Sequence, residues 1–273
     1  MAIRIGVIGV GIIGEPFVRG LVRAQGDDVA IRLSPRNAER SRRLAAEFGN
    51  VRVCQTDQEV LDQSDWVVLA LLGEVAQGIV RGLAFRPDQR VISLISAATV
   101  ADIQRWTKVA VVAKMIPLPF VAYCVGPLAV YPLTPEIVQV FGGLGALAAA
   151  QDEAGLDTMS VITSTQSAFF ATLAEVVKWS SRHGLAPEVA QQFSLDFFAA
   201  LLFKAGTLPP AELLDHWREM TPGGLNHAAM TQLFADDAIA AWSRAMDAVQ
   251  ARRAETAVPP PPLERTDDEY KTD

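Results

Sequence analysis

Apolar and polar positions along the chain follow two different periods. From residue 3 to about residue 131, short apolar runs alternate with stretches of three-to-four spacing, and beyond residue 157 only the longer period remains. The runs at 3–8, 29–33, 51–54, 66–71, 91–95, 109–114 and 128–131 predict strands. WVVLAL at 66–71 has no polar member, the pattern of a strand buried on both faces of a parallel sheet. Helices are predicted after residue 14, where Phe17, Leu21 and Val22 oppose Arg19 and Arg23, and over 38–48, 57–61, 100–106 and 135–141, with a glycine turn at 142–145. This alternation predicts an α/β domain with a doubly wound parallel sheet over residues 1–153.

The second half predicts helices only, over 165–183, 188–205, 210–219 and 226–252, with Gly184 and Gly206 where helices end. This is an all-helical domain over 154–255. Phe193, Leu195, Phe197, Phe198, Leu201, Leu202 and Phe203 follow one another with few charges between them. A helix apolar all round must be covered, and a second copy of the chain does this most simply, so a homodimer or larger homo-oligomer is expected. Four prolines and acidic residues from Val258 onward cannot build a core, and 256–273 is expected to be a disordered tail.

Composition narrows the classes. At 273 residues and 50% apolar, the chain is long enough for two packed units. A formal charge of -7 with no basic run argues against nucleic acid and anionic membranes as partners. Cys54 and Cys124 have no metal-ligand spacing and make no disulfide framework, which suggests a reducing compartment. With no signal peptide before the first strand, a cytoplasmic protein acting on a small molecule is expected.

The chemistry begins at the first strand's end. IRIGVIGVGIIGEP carries Gly9, Gly11 and Gly14 between a strand and an amphipathic helix, where a dinucleotide-binding βαβ unit requires them. Gly9 permits the turn, Gly11 admits a pyrophosphate, and Gly14 lets the helix pack on the strand. Ile12 and Ile13 lie on the same turn, whose first helical N–H groups face the phosphate charge. The second strand ends in Ser34-Pro35-Arg36-Asn37, without the acid that would accept the ribose hydroxyls of NAD. Ser34, Arg36 and Asn37 favour the 2′-phosphate of NADPH, with NADH as the alternative, and the same residues also read as a turn and helix cap.

A second glycine turn, Thr221-Pro222-Gly223-Gly224, precedes the last long helix. Its backbone N–H groups and the positive helix end make a cradle for a carboxylate, or simply a helix-to-helix connection.

To about Arg252 the chain resembles the pyrroline-5-carboxylate reductase family, as a divergent member. IGVIGVGIIGEPFVRGL, SPRNAERSRRLAAEFG, DWVVLAL, VISLISAATV, IPLPFVAYCVGPLAV, LDTMSVITSTQSAFF and MTPGGLN carry the resemblance, in order and spacing. It implies a Rossmann domain joined to a helical dimerisation domain, NAD(P)H as hydride donor, and a cyclic imine carboxylate reduced at its C=N bond to a proline-type product.

In the family the TPGG turn meets the substrate, and a threonine two residues on lies near the ring nitrogen; here that position is Asn226. Leu118 stands where an asparagine is usual, and Leu71-Leu72-Gly73 replaces V-K-P, losing a lysine. Thr163–Ala168 is bulkier than the family's S-G-S-G-P-A, and Leu225 and Asn226 replace two threonines.

Reducing a C=N bond needs a positioned hydride donor, an anion site and a proton for nitrogen. The residues assigned to this work are Gly223 and Gly224 for the carboxylate through their N–H groups, Thr221 as cap or anion contact, and Asn226 for the ring nitrogen. His227 reads either as proton donor or as a polar residue facing solvent. Leu71 and Leu72 line the cofactor, while Tyr123 and Lys114 read equally as nicotinamide neighbours or strand-end packing.

Two rivals stand beside this reading. One is a non-catalytic NAD(P)-binding sensor of the same fold. The other is a β-hydroxyacid-dehydrogenase-like enzyme, whose lysine is followed four residues later by asparagine, whereas Lys178 is followed by Arg182.

Overall fold

The computed structural model describes residues 2–254, so the tail reading for 256–273 lies outside the described residues. Strands β1 (Ile3–Ile8), β2 (Val29–Leu33), β3 (Val51–Val53), β4 (Trp66–Leu69), β5 (Arg90–Ser93), β6 (Val111–Ile116), β7 (Pro127–Tyr131) and β8 (Ala146–Ala149) form one sheet in the order β3-β2-β1-β4-β5-β6-β7-β8. Neighbours run parallel except β6 and β7, which are antiparallel. The connecting helices are α1 (Gly14–Gln25), α2 (Ala38–Glu47), α3 (Asp57–Asp62), α4 (Gly73–Arg81), α5 (Val100–Thr107), α6 (Pro135–Phe141) and α7 (Glu153–Thr163).

Period-two alternation within buried strands divides the core between the two faces. Trp66 and Val68 of β4 join Phe17, Leu21, Leu44 and Phe141 from α1, α2 and α6. Val67 and Leu69 of the same strand join Leu61, Ala76, Val80 and Ile103 from α3, α4 and α5. This is the doubly wound arrangement that the sequence predicts. Local signals set several helix starts: Asn37, Thr56 and Thr134 cap α2, α3 and α6, and Thr99 with Asp102 forms a reciprocal capping box on α5.

Three elements of this unit are absent from the sequence reading. The α4 segment holds two glycines, which weaken its pattern, yet Ala76 and Val80 are fully buried. The β8 segment, ALAA, has no β-branched residue and is a strand because it pairs with β7 in register Pro127↔Ala146. The third, α7, buries Leu156 completely against Ala129 and Ala150. By packing it therefore belongs with the sheet, and the chain divides between Thr163 and Ser164.

The second unit holds α8 (Gln166–Arg182), α9 (Pro187–Gly206), α10 (Pro210–Asp215), α11 (Leu225–Ala235) and α12 (Ala238–Ala254). The single helix predicted over 226–252 is two helices. Asp237 adopts the left-handed conformation (φ 54°) and breaks the run between α11 and α12. Among residues 164–253 only Ala190 and Ser194 are buried, while Phe193 is 69% and Phe203 78% exposed.

Phe141 is fully buried, edge-to-face on Trp66 at 5.2 Å and 6.1 Å from Phe17. Replacing it by Ala is expected to lower the unfolding free energy by about 3–5 kcal/mol in denaturant titrations, and a loss below about 1 kcal/mol would show that this cluster is not central to the core.

Candidate functional site

Strand β1 lies between β2 and β4, so chain direction away from the sheet's centre reverses at its carboxyl end, where open α/β sheets hold their ligands. There Gly9 has φ 96°, and a Cβ on it would lie 2.2 Å from the carbonyl oxygen of Ala70. A Cβ on Gly14 would lie 2.2 Å from the carbonyl oxygen of Gly9. Both glycines are thus required by packing. Gly11 is different, because a Cβ there would meet nothing among the described residues within 4 Å. The space over Gly11 is open, as close approach of a ligand to the backbone would need. Ile12 is 75% exposed, and Ile13, the N-cap of α1, makes no side-chain cap bond, so the first-turn N–H groups lack side-chain partners there.

An acid in that first turn, Glu15, would oppose a phosphate. Three guanidinium groups offset it: Arg43 at 2.7 Å, Arg19 at 3.3 Å and Arg40 at 3.5 Å. Burial pushes the Glu15 carboxyl up, but hydrogen bonds from Arg43 and Arg19 outweigh it and hold the group below the usual carboxylate range.

The residues after β2 do not share one role. Ser34 is completely buried, and its hydroxyl accepts the N–H of Gly9 at 3.0 Å. Its side chain therefore holds the glycine turn from inside, instead of meeting a phosphate as the sequence suggests. The Asn37 side chain accepts from the N–H of Arg40 at 3.3 Å and caps α2. Arg36 is exposed, and its Nε donates to Asp57 Oδ2 at 2.9 Å. The sequence reading misses Asp57 because it follows the cap Thr56 and reads as an ordinary first-turn acid.

On the other side of the crevice, Leu71 is half-buried with its Cδ2 against Gly9, and Leu72 is 79% exposed at the start of α4. Lys114 is buried with Nζ 3.5 Å from Glu153 Oε1, an oxygen that also accepts the N–H of Val100. This links β6, α7 and α5. Tyr123 is 65% exposed, with Arg23 over its ring at 5.9 Å. Burial pushes the Cys54 thiol up to about 11, and among the described residues no His, Cys, Asp and Glu cluster fit to hold a metal occurs.

In the helical unit, Gly223 has φ 77°, a conformation open to glycine, and Gly224 is the N-cap of α11 without a side-chain cap bond. The N–H of Gly224 donates to the Thr221 carbonyl at 2.9 Å. It closes the turn, which corrects the expectation that it is available to an anion. Thr221, Gly223, Asn226 and His227 are exposed, and Leu225 is 90% exposed.

A largely parallel sheet with a glycine turn at its switch point, followed in the chain by an all-helical unit, is an NAD(P)-dependent oxidoreductase fold. Residues 4–98 match the family model described as NADP oxidoreductase coenzyme F420-dependent, and residues 153–256 match pyrroline-5-carboxylate reductase dimerisation. The two matches place a dinucleotide-oxidoreductase domain and a pyrroline-5-carboxylate reductase dimerisation domain in one chain. It is similar in structure to 1-pyrroline-5-carboxylate reductase from Streptococcus pyogenes, at 19% identity over 92% of this chain and 98% of that one, with TM-score 0.79. The Plasmodium falciparum pyrroline carboxylate reductase with NADP bound is 13% identical over 92% and 97%, with TM-score 0.76. An Aspergillus terreus imine reductase in complex with NADPH4 and dibenz[c,e]azepine is 16% identical over 90% and 88%, with TM-score 0.54. No curated protein matches the chain.

Because nothing crowds Gly11, Gly11→Val is expected to leave the melting temperature within about 3 °C while reducing dinucleotide binding at least about tenfold. Retained affinity in a titration would show that this turn does not hold the diphosphate.

Proposed function

We propose that the chain is an NADPH-dependent reductase of a cyclic imine carboxylate, forming a proline-type amine as in proline biosynthesis, with NADH as the alternative donor. The observation that carries this reading is the open Gly11 turn followed, in a segment matching pyrroline-5-carboxylate reductase dimerisation, by a glycine turn at the start of α11. Gly9, Gly11, Ile12, Ile13 and Gly14 would hold the diphosphate, Arg36 and the amide of Asn37 the adenosine end, and Leu71 and Leu72 the apolar wall. Bound there, the nicotinamide supplies the hydride.

The N–H of Gly223 and the first-turn N–H groups of α11 receive the substrate carboxylate, and Thr221 borders the same anion. The Asn226 amide orients the ring nitrogen. An iminium ion already carries its nitrogen-bound proton, so the residues here need to position more than to protonate. His227, with its ring exposed, is the imidazole beside the turn for a neutral imine.

The exposed apolar face of α9 and the dimerisation match support a homo-oligomer. Among the described residues no helix is long and apolar enough to cross a membrane. With the charge of -7, this favours a cytoplasmic enzyme without membrane or nucleic-acid partners.

NADPH oxidation is expected with pyrroline-5-carboxylate or a piperideine carboxylate and not with 2-keto acids. Tight NADPH binding without turnover of any imine would favour a sensor, and turnover of 3-hydroxy acids the dehydrogenase reading. In light scattering, Phe203→Asp is expected to convert the oligomer to smaller species, and an unchanged mass would refute α9 as part of the interface.

A further inference from the structure

We infer that Asp57 is a positioning residue for the adenosine end of the dinucleotide site, acting through Arg36. The inference rests on the cofactor reading above. Strands β2 and β3 pair in register Leu33↔Val53, and the N–H of Cys54 donates to the Leu33 carbonyl at 3.0 Å. The segments leaving the two strands, which carry Arg36 and Asp57, therefore emerge side by side at the carboxyl edge of the sheet.

Among the described residues Arg36 is tethered at one point only, Nε to Asp57 Oδ2 at 2.9 Å. A guanidinium and a carboxylate that close on each other usually do so side-on, with two parallel bonds that use both oxygens. Here the second oxygen, Asp57 Oδ1, is buried and has no hydrogen-bond partner among the described residues. The two Nη groups of Arg36 likewise make no hydrogen bond or ion pair among the described residues. The tether is also asymmetric in exposure, with the Asp57 side chain 13% exposed and that of Arg36 48%. A largely buried carboxylate thus holds Nε, and the Nη groups of this half-exposed guanidinium keep their donors unspent among the described residues. On α2, Arg40 and Arg43 instead turn to Glu15.

An arginine pinned at Nε loses fewer rotamers when its fork meets a dianion, so the pin contributes to affinity for the 2′-phosphate without touching it. This makes Asp57 a determinant of the choice between the phosphorylated and unphosphorylated cofactor.

The test titrates the full chain calorimetrically with 2′,5′-ADP and with 5′-AMP, in the parent and in the variants Asp57→Ala, Asp57→Asn, Arg36→Ala and Arg36→Ala/Asp57→Ala. Asp57→Ala is expected to weaken 2′,5′-ADP about fivefold or more and to leave 5′-AMP within about twofold. Asp57→Asn retains an oxygen for Nε and is expected to stay within about threefold of the parent for both probes. On the Arg36→Ala background, removing Asp57 is expected to change neither probe.

Equal losses for both probes, tighter 2′,5′-ADP binding in Asp57→Ala, an additive loss in the double variant, or collapse of the melting transition in both Asp57 variants would each overturn the inference. If Arg36→Ala abolishes the preference for 2′,5′-ADP while Asp57→Ala does nothing, this inference alone fails. If the parent shows no preference, or Arg36→Ala leaves it intact, the NADPH reading fails as well.

Discussion

The close approach of two backbones, Gly9 against the Ala70 carbonyl, is the constraint on which the rest of the sheet unit depends. Only a residue without Cβ fits there, and positive φ at Gly9 turns the chain from β1 into α1. Bonds from three strands then hold the turn in place. Ser34 Oγ accepts the Gly9 N–H, the Ser34 N–H donates to Val7, the Ala70 N–H donates to Ile8, and Ser41 Oγ donates to the Ser34 carbonyl. The ends of β1, β2 and β4 are thereby locked to one another. Gly11, two residues on, is left facing open space among the described residues.

Charge around that concavity is organised by pairing more than by excess. The chain is acidic overall, yet the N-terminal turn of α1 and the neighbouring turns of α2 are ringed by arginines. Glu15 collects three of them, and its depressed pKa means that its contribution to stability is present at neutral pH and is lost on acidification. The same pairing fixes the direction of several long side chains near the first turn of α1, so the field there is set by fixed geometry.

The helical unit is built on the opposite principle. Its helices bury almost nothing within residues 164–253, and aromatic residues of α9 stand in solvent. Apolar area of this extent lowers its free energy only by meeting another apolar surface, and residues 153–256 match a dimerisation family. In the sheet unit, by contrast, helices on both faces close the core within the chain.

Legibility in the sequence followed the range of the interaction. The doubly wound sheet, the glycine turn after β1, the cap of α2, and the glycine turn before α11 all arise from patterns a few residues long, because backbone conformation and period respond to near neighbours. Tertiary structure decided the rest. It made ALAA a strand, drew α7 onto the sheet through Leu156, broke the last helix at Asp237, placed Ser34 beneath the turn, and set Asp57 beside Arg36. Two of these outcomes show the reason most clearly: Ser34 is 25 residues from Gly9, and Asp57 is 21 from Arg36. Such partners meet only once strand order and register are set, and no local pattern encodes which hydroxyl ends up inside or which carboxylate comes to lie against a given guanidinium.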